Sequence, residues 1–185
     1  SLVFHKDAVE LDENGLPKKA APMHLYGYGS YGICIDPDFS AKRLPLLNRG
    51  MVYAIAHIRG GAEMGRTWYE DQGKYLNKRN TFMDFISCAE TLHARGWSRP
   101  ELTSTEGRSA GGLLMGACLN MRPDLFKVAV AGVPFVDLMT TMCDASIPLT
   151  VGEWEEWGNP NDARFFNYML SYSPMNNILP QDYPS

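Results

Sequence analysis

Hydrophobic and polar positions alternate between two patterns along the chain. Residues 81–95 repeat apolar side chains at i, i+3, i+4 and i+7, which predicts an amphipathic helix that Gly96 ends. Residues 110–121 are small and apolar on nearly every side and predict a buried helix. Short apolar runs typical of buried parallel strands occur at 23–26, 51–58 and 128–131. The alternation predicts an α/β protein with a mostly parallel sheet and helices on both faces.

Two polar segments interrupt this alternation. Residues 12–17 (DENGLP) form a turn cluster, which predicts a hairpin or an edge meander near the start of the chain. Residues 102–106 (LTSTE) precede the buried helix where a strand is expected, although they are polar for a central strand. No repeat or low-complexity linker divides the chain, so one domain or part of one is predicted.

Composition narrows the class of protein. The 185 residues are 45% apolar with a formal net charge of −4, which fits a globular chain and excludes disorder. There is no basic stripe for nucleic acid and no apolar run long enough to span a membrane. The four cysteines lack C-x-x-C spacing, which is typical of reduced thiols and favours a cytoplasmic location. No metal and no cofactor is implied, and the sequence sets no oligomeric state.

The motif that indicates chemistry is G-x-S-x-G at 107–111. A strand, a tight turn and a helix are predicted around it, which is the context of a nucleophile elbow with an exposed serine hydroxyl at Ser109. A side chain at either flanking glycine is expected to clash with the neighbouring backbone. The N–H of Ala110 lies at the start of the helix, where it can stabilise an oxyanion. The alternative is a glycine-rich turn without a catalytic role.

A second motif, YGYGSYG at 26–32, follows the first apolar run. It is consistent with a glycine-rich turn packed by aromatic rings. It is also consistent with a loop that holds Tyr28 over the serine, where a phenol hydroxyl can act as a second oxyanion donor.

These motifs resemble the prolyl oligopeptidase family of serine peptidases, and within it the oligopeptidase B group. The resemblance runs along nearly the whole chain and rests on YGYGSYG, AHIRGGAEMGRTWYEDQGK (56–74, where Gln72 interrupts the family text), KRNTFMDF (78–85), GRSAGGLLMG (107–116), RPDLFKVAVAGVPFVD (122–137) and GEWEEWGNP (152–160). One departure is Cys88, where the family pattern usually has alanine. The resemblance implies an α/β-hydrolase fold and a serine-type endopeptidase that acts on short peptides.

The resemblance also implies roles for individual residues. Ser109 matches the nucleophile, and Tyr28 with the Ala110 N–H matches the oxyanion hole. Glu153 and Glu155 match carboxylates that bind an Arg or Lys side chain before the scissile bond, and Phe135 matches an apolar wall of that pocket. By spacing alone, Glu153, Glu155 and Glu156 favour a solvated acidic face, and the resemblance reverses this for Glu153 and, more weakly, for Glu155.

The sequence contains no candidate for the histidine that acts as the general base of a serine hydrolase triad. On this fold the chain order is Ser, Asp, His, yet all four histidines lie at or before residue 93; His57 is expected to be structural. The chain begins with Ser and is interpreted as the N-terminal and central part (1–185) of a catalytic domain, an incomplete α/β-hydrolase fold without its propeller and C-terminal part. The isolated chain is then expected to be nearly inactive. Two alternatives stay open: cleavage after proline, and a truncated non-catalytic relative or peptide-binding module.

Overall fold

A five-stranded sheet organises the protein, as seen in a computed structural model that describes residues 1–185. The strand order is β1-β3-β2-β4-β5. The strands are β1 (Leu2–Val3), β2 (Met23–Tyr26), β3 (Val52–Ile55), β4 (Thr103–Arg108) and β5 (Val128–Gly132). Strands β2 to β5 are parallel to one another, and β1 pairs antiparallel with β3. The expected mostly parallel sheet is confirmed.

Seven α-helices accompany the sheet. They are α1 (Leu44–Leu47), α2 (Thr67–Glu70), α3 (Arg79–Ala94), α4 (Ala110–Met121), α5 (Leu138–Cys143), α6 (Thr150–Trp157) and α7 (Ala163–Leu170). Short 3-10 helices lie at Ala41–Arg43, Tyr75–Asn77, Pro100–Leu102, Pro123–Leu125 and Pro174–Asn177. None of the helices combines the length and the apolar character needed to cross a bilayer.

Helices cover both faces of the sheet, as the alternation predicted. On one face, Met23 and Leu25 are fully buried, and Phe85 of α3 and Leu114 of α4 lie against the backbone at Gly27. The core is on this side. On the other face, Leu44 and Leu47 of α1 share a cavity wall with Tyr53 and Ile55 of β3.

The predicted boundaries hold with small corrections. Strand 23–26 and helix 110–121 are confirmed, strand 128–131 gains Gly132, and helix 81–95 spans Arg79–Ala94 instead. The predicted strand 51–58 ends early, at Ile55. The Ala56 N–H still bonds the Tyr26 carbonyl at 2.9 Å, but β2 ends there, so the next residues have no strand to pair with. The turn at 12–17 is bracketed by an isolated antiparallel bridge between Leu11 and Pro17, and a full hairpin does not form.

The polar strand β4 is stable because its hydroxyl groups are satisfied. Thr105 Oγ1 donates to the Leu25 carbonyl at 3.0 Å, and Ser104 Oγ donates to the Met23 carbonyl at 3.2 Å. Buried polar groups cost little when they are hydrogen-bonded. The polar character that argued against a central strand is therefore compatible with one.

A buried histidine gives the fold a pH dependence. His24 Nδ1 lies 2.9 Å from Ser104 Oγ, and its Nε2 lies 3.3 Å from the Glu106 carboxylate. Burial lowers the pKa of His24 below its usual value, against a smaller raising effect of Glu106. Burial also lowers the pKa of His93. A lowered pKa means that the folded state binds fewer protons than the unfolded state, so stability is lost as the pH falls.

We therefore expect the free energy of unfolding to fall as the pH decreases below ~6.5, the ordinary value for histidine. His24→Gln should flatten this dependence in part, because His93 keeps its own contribution. Thermal unfolding midpoints between pH 7.5 and 5.5 measure it, with the exposed His5→Gln as the control. An unchanged slope in His24→Gln would contradict this assignment.

Candidate active site

Ser109 occupies a sharp turn between β4 and α4. Its side chain is exposed, and its backbone has φ 55° and ψ −117°, a conformation that costs a non-glycine residue energy. Four backbone hydrogen bonds hold it, one of them the bond from the Leu113 N–H to the Ser109 carbonyl at 3.3 Å. The Ser109 N–H donates to the Gly132 carbonyl at 3.0 Å, and the Ser109 carbonyl accepts from Gly112 N at 2.8 Å and Phe135 N at 3.1 Å. The hydroxyl is therefore fixed at the end of the strand and open to solvent.

Glycines let the chain pack closely around this turn. A Cβ at Gly107 would collide with the Gly111 carbonyl, which confirms the expected clash. A Cβ at Gly112 would meet the Pro134 backbone. At Gly111 the expected clash is milder, because a Cβ would lie 3.2 Å from the Gly27 oxygen and 3.3 Å from Tyr28 Cδ2. The loop after β2 therefore lies directly against the start of α4.

Two candidate hydrogen-bond donors belong to the segments that meet at this turn. Ala110 is the first residue of α4, so its N–H has no partner within the helix. Tyr28 lies against Gly111, one residue further on. Burial, with the carboxylates Glu156 and Glu153 nearby, raises the pKa of Tyr28, so its phenol is protonated and can donate at neutral pH. The structure thus brings Tyr28 to the turn that contains Ser109 and Ala110, and the role of its hydroxyl as an oxyanion donor stays a prediction.

Glu153 presents a carboxylate with no cation beside it. On α6, its Oε2 accepts from the Tyr31 hydroxyl at 2.7 Å and from Trp157 Nε1 at 3.1 Å. Both donors are neutral groups. For the Tyr31 hydroxyl, burial and the hydrogen bond to Glu153 raise the pKa above the usual value for tyrosine. No Lys, Arg or His lies within ion-pair distance of Glu153. Its negative charge is oriented but not neutralised.

Phe135 connects this carboxylate to the serine. Its backbone N–H donates to Ser109, and its ring lies 5.6 Å from the Trp157 ring. Trp157 in turn donates to Glu153. Glu155 lies apart from this group. It is exposed, and it accepts from the Tyr75 hydroxyl at 3.1 Å.

A buried ion pair beneath this group was not identified from the sequence. Lys78 Nζ lies 3.2 Å from Glu156 Oε1, and the two side chains are 1% and 2% exposed. Burial lowers the pKa of Lys78, and Glu156 opposes that effect. The hydrogen bond from the Tyr31 hydroxyl to Glu153 was also not predicted from the sequence. The helical spacing could have indicated which of these residues lie together, because residues 153, 156 and 157 share one face of α6 and residue 155 does not.

Other polar residues near the site serve the loops. Arg59 binds Asp84 through two nitrogens, at 2.7 and 2.6 Å, and so braces the segment after β3. His57 Nδ1 lies 3.6 Å from Glu63, whose other contact is the Ile35 N–H at 3.0 Å. No histidine of the chain bonds to the Ser109 hydroxyl, and the structural role of His57 stays a prediction.

Comparison with known proteins places this geometry in context. The model of the "Prolyl oligopeptidase family" matches residues 37–185. Protease 2 of Moraxella lacunata is 55% identical over 172 residues, which are 93% of this chain and 25% of that protein.

Two solved structures are similar along the chain. Oligopeptidase B from Leishmania major is 63% identical with a TM-score of 0.93, over 100% of this chain and 24% of that one. Oligopeptidase B from Trypanosoma brucei, with covalently bound antipain in a closed form, is 67% identical with a TM-score of 0.92, over 99% and 25%. The chain therefore spans about a quarter of the length of these relatives.

Proposed function

The chain belongs to the prolyl oligopeptidase family, and we propose that it is part of the catalytic domain of a serine oligopeptidase that cleaves short peptides after Arg or Lys. The observation that carries the proposal is the presence of two features in one chain: Ser109, which is exposed and has a strained backbone, and Glu153, a carboxylate with no cation within ion-pair distance. The relative from T. brucei forms a covalent complex with antipain, which supports chemistry at a nucleophile.

In the proposed reaction Ser109 Oγ attacks the scissile carbonyl. Its proton passes to a base, and the carbonyl oxygen becomes an oxyanion that the Ala110 N–H and the Tyr28 hydroxyl stabilise. The amine then leaves with a proton from the base, and water hydrolyses the acyl-enzyme. We place the base and its orienting carboxylate in a part of the protein outside residues 1–185, because the relatives are about four times as long as this chain.

Glu153 sets the proposed preference for a basic side chain. A guanidinium or ammonium group would satisfy its charge, while a neutral side chain would leave that charge unpaired. A proline ring could not satisfy the carboxylate either, so cleavage after proline is the less favoured alternative. Phe135, which is half-buried, would flank the methylene part of the substrate side chain, and the fully buried Trp157 packs against the Phe135 ring.

Glu153→Gln is expected to lower kcat/KM for Arg substrates by about 1–3 kcal/mol, roughly 5- to 150-fold. Gln keeps the contacts with Tyr31 and Trp157 possible while it removes the charge. Steady-state kinetics on matched peptides with Arg, Gln or Pro before the scissile bond measure the effect. Glu155→Gln is the matched control, and its effect should be smaller because Glu155 is exposed and held by Tyr75. An equal loss on the neutral peptide would remove the argument for basic specificity.

Tyr28→Phe is expected to lower kcat by about 10²–10³-fold with little change in KM, because the lost hydroxyl acts on the transition state. Tyr26→Phe is the control, since Tyr26 is half-buried in β2 and its hydroxyl forms no hydrogen bond within the chain. Full activity of Tyr28→Phe would assign the second oxyanion donor elsewhere.

A further inference from the structure

The buried Lys78–Glu156 pair joins three elements that meet at the site. Lys78 directly precedes α3, Glu156 lies on α6, and the third element is the loop at residues 28–31. Lys78 Nζ donates to the Gly29 carbonyl at 2.7 Å and to Ser30 Oγ at 2.8 Å, in addition to Glu156. An ammonium group has three donors, so all of them are used.

Glu156 holds the same loop from the other side. Its Oε1 accepts from the Tyr31 N–H at 3.1 Å, and its Oε2 accepts from the Tyr69 hydroxyl at 2.7 Å. Tyr31 has φ 59°, a conformation that an aromatic residue adopts only when its surroundings hold it there. The pair therefore contacts three consecutive loop residues, immediately after Tyr28.

The location of the charges argues against a purely stabilising role. Lys78 lies at the N-terminal end of α3, where a helix disfavours a cation. Burying two ions is costly, and an apolar pair of the same volume is often as stable or more stable. What an apolar pair could not do is bind the carbonyl, hydroxyl and N–H of the loop. The polar pair fixes the position of the backbone.

The pair also separates two carboxylates that share one helix face. Glu153 and Glu156 are three residues apart on α6 and are neighbours on its surface. Lys78 forms an ion pair with Glu156, while Glu153 has no cation within ion-pair distance. The loop that Lys78 holds ends in Tyr31, whose hydroxyl orients Glu153.

We propose that Lys78 and Glu156 are positioning residues that set Tyr28 at the oxyanion hole and Tyr31 on Glu153 through one buried ion pair. This inference rests on the proposed function. It predicts that the pair acts on kcat through Tyr28 and not only on folding. A displacement of about 1 Å in a catalytic group can cost about 10²-fold in rate.

The test uses the complete protein that contains this chain and the charge-free double variant Lys78→Met/Glu156→Gln. We expect kcat on an Arg peptide to fall by about 10- to 100-fold. In a Tyr28→Phe background the same double change should lower kcat by less than about threefold, because positions that act through one another are not additive. Independent, multiplying effects would overturn the inference, as would a kcat within about twofold of wild type.

If the double variant does not fold, a milder variant tests the same positioning role. Ser30→Ala keeps both charges and removes one contact of Lys78, and it should lower kcat while the Tyr31 amide exchanges hydrogen faster. Ser98→Ala is the matched control, since Ser98 is also a buried serine, at 2% exposure, but lies before β4. Equal kcat and equal exchange in Ser30→Ala and wild type would overturn the inference. Failure of the proposed function looks different, because wild type itself would then not cleave Arg or Lys peptides; hydrogen exchange at Tyr31 still decides the positioning role.

Discussion

Replacing Ser109 with alanine is expected to abolish peptide hydrolysis by the complete protein, with kcat lowered by about 10⁶-fold, the loss seen when the nucleophile of other serine hydrolases is removed. Alanine keeps the backbone hydrogen bonds to Gly132, Gly112 and Phe135 and removes only Oγ. KM should change little, because the proposed contacts with the substrate side chain remain. The expected loss is therefore chemical and not structural.

Ser87→Ala is the matched control for this experiment. Ser87 is exposed on α3 and its hydroxyl forms no hydrogen bond within the chain. Covalent labelling by a serine-directed organophosphonate gives a second readout: wild type and Ser87→Ala should be labelled, and Ser109→Ala should not. Turnover at the wild-type rate in Ser109→Ala would refute the assignment of the nucleophile.

The second large effect concerns stability. Lys78→Met alone should leave the Glu156 charge buried and unpaired, and Glu156→Gln alone should do the same to Lys78. Breaking one side of a buried pair costs about 3–5 kcal/mol. For a domain of this size that lowers the midpoint of thermal unfolding by roughly 10 °C. The double variant should be much closer to wild type, because no buried charge remains.

The exposed pair Lys18–Glu10, at 3.4 Å, provides the control for this second prediction. Both of its side chains are largely in solvent, and such pairs contribute about 0–1 kcal/mol. Lys18→Met should therefore barely change the midpoint. The double variant decides whether Lys78 and Glu156 are energetically coupled. If its midpoint shift equals the sum of the shifts of the two single variants, the two residues are not coupled.

The fold was largely predictable because its strands and helices differ in hydrophobic period. Helix 110–121 and strand 23–26 were predicted with the observed bounds, since each is a continuous apolar segment between turn residues. Strand β3 was predicted too long, because apolar character continues after pairing ends at Ile55. Pairing depends on the neighbouring strand, which a local pattern does not contain.

The candidate site was predictable only where local sequence defines it. The turn at Ser109 follows from glycine spacing, and the structure has that turn. The different environments of Glu153, Glu155 and Glu156 do not follow from local sequence, because each carboxylate has a partner that is distant in the sequence. Lys78 lies 78 residues before Glu156 and buries it, while Tyr75 holds Glu155 at the surface. Three glutamates on one short helix therefore have three different sets of contacts.

The left-handed backbone at residue 109 also restricts which nucleophile this scaffold can accept. A second branch on Cβ is poorly tolerated at positive φ, so threonine would strain the turn although it carries the same hydroxyl group. Cysteine has an unbranched Cβ and fits the same backbone. Exchange of oxygen for sulfur therefore adds no strain to this turn, whereas a secondary alcohol would add strain before any question of reactivity arises.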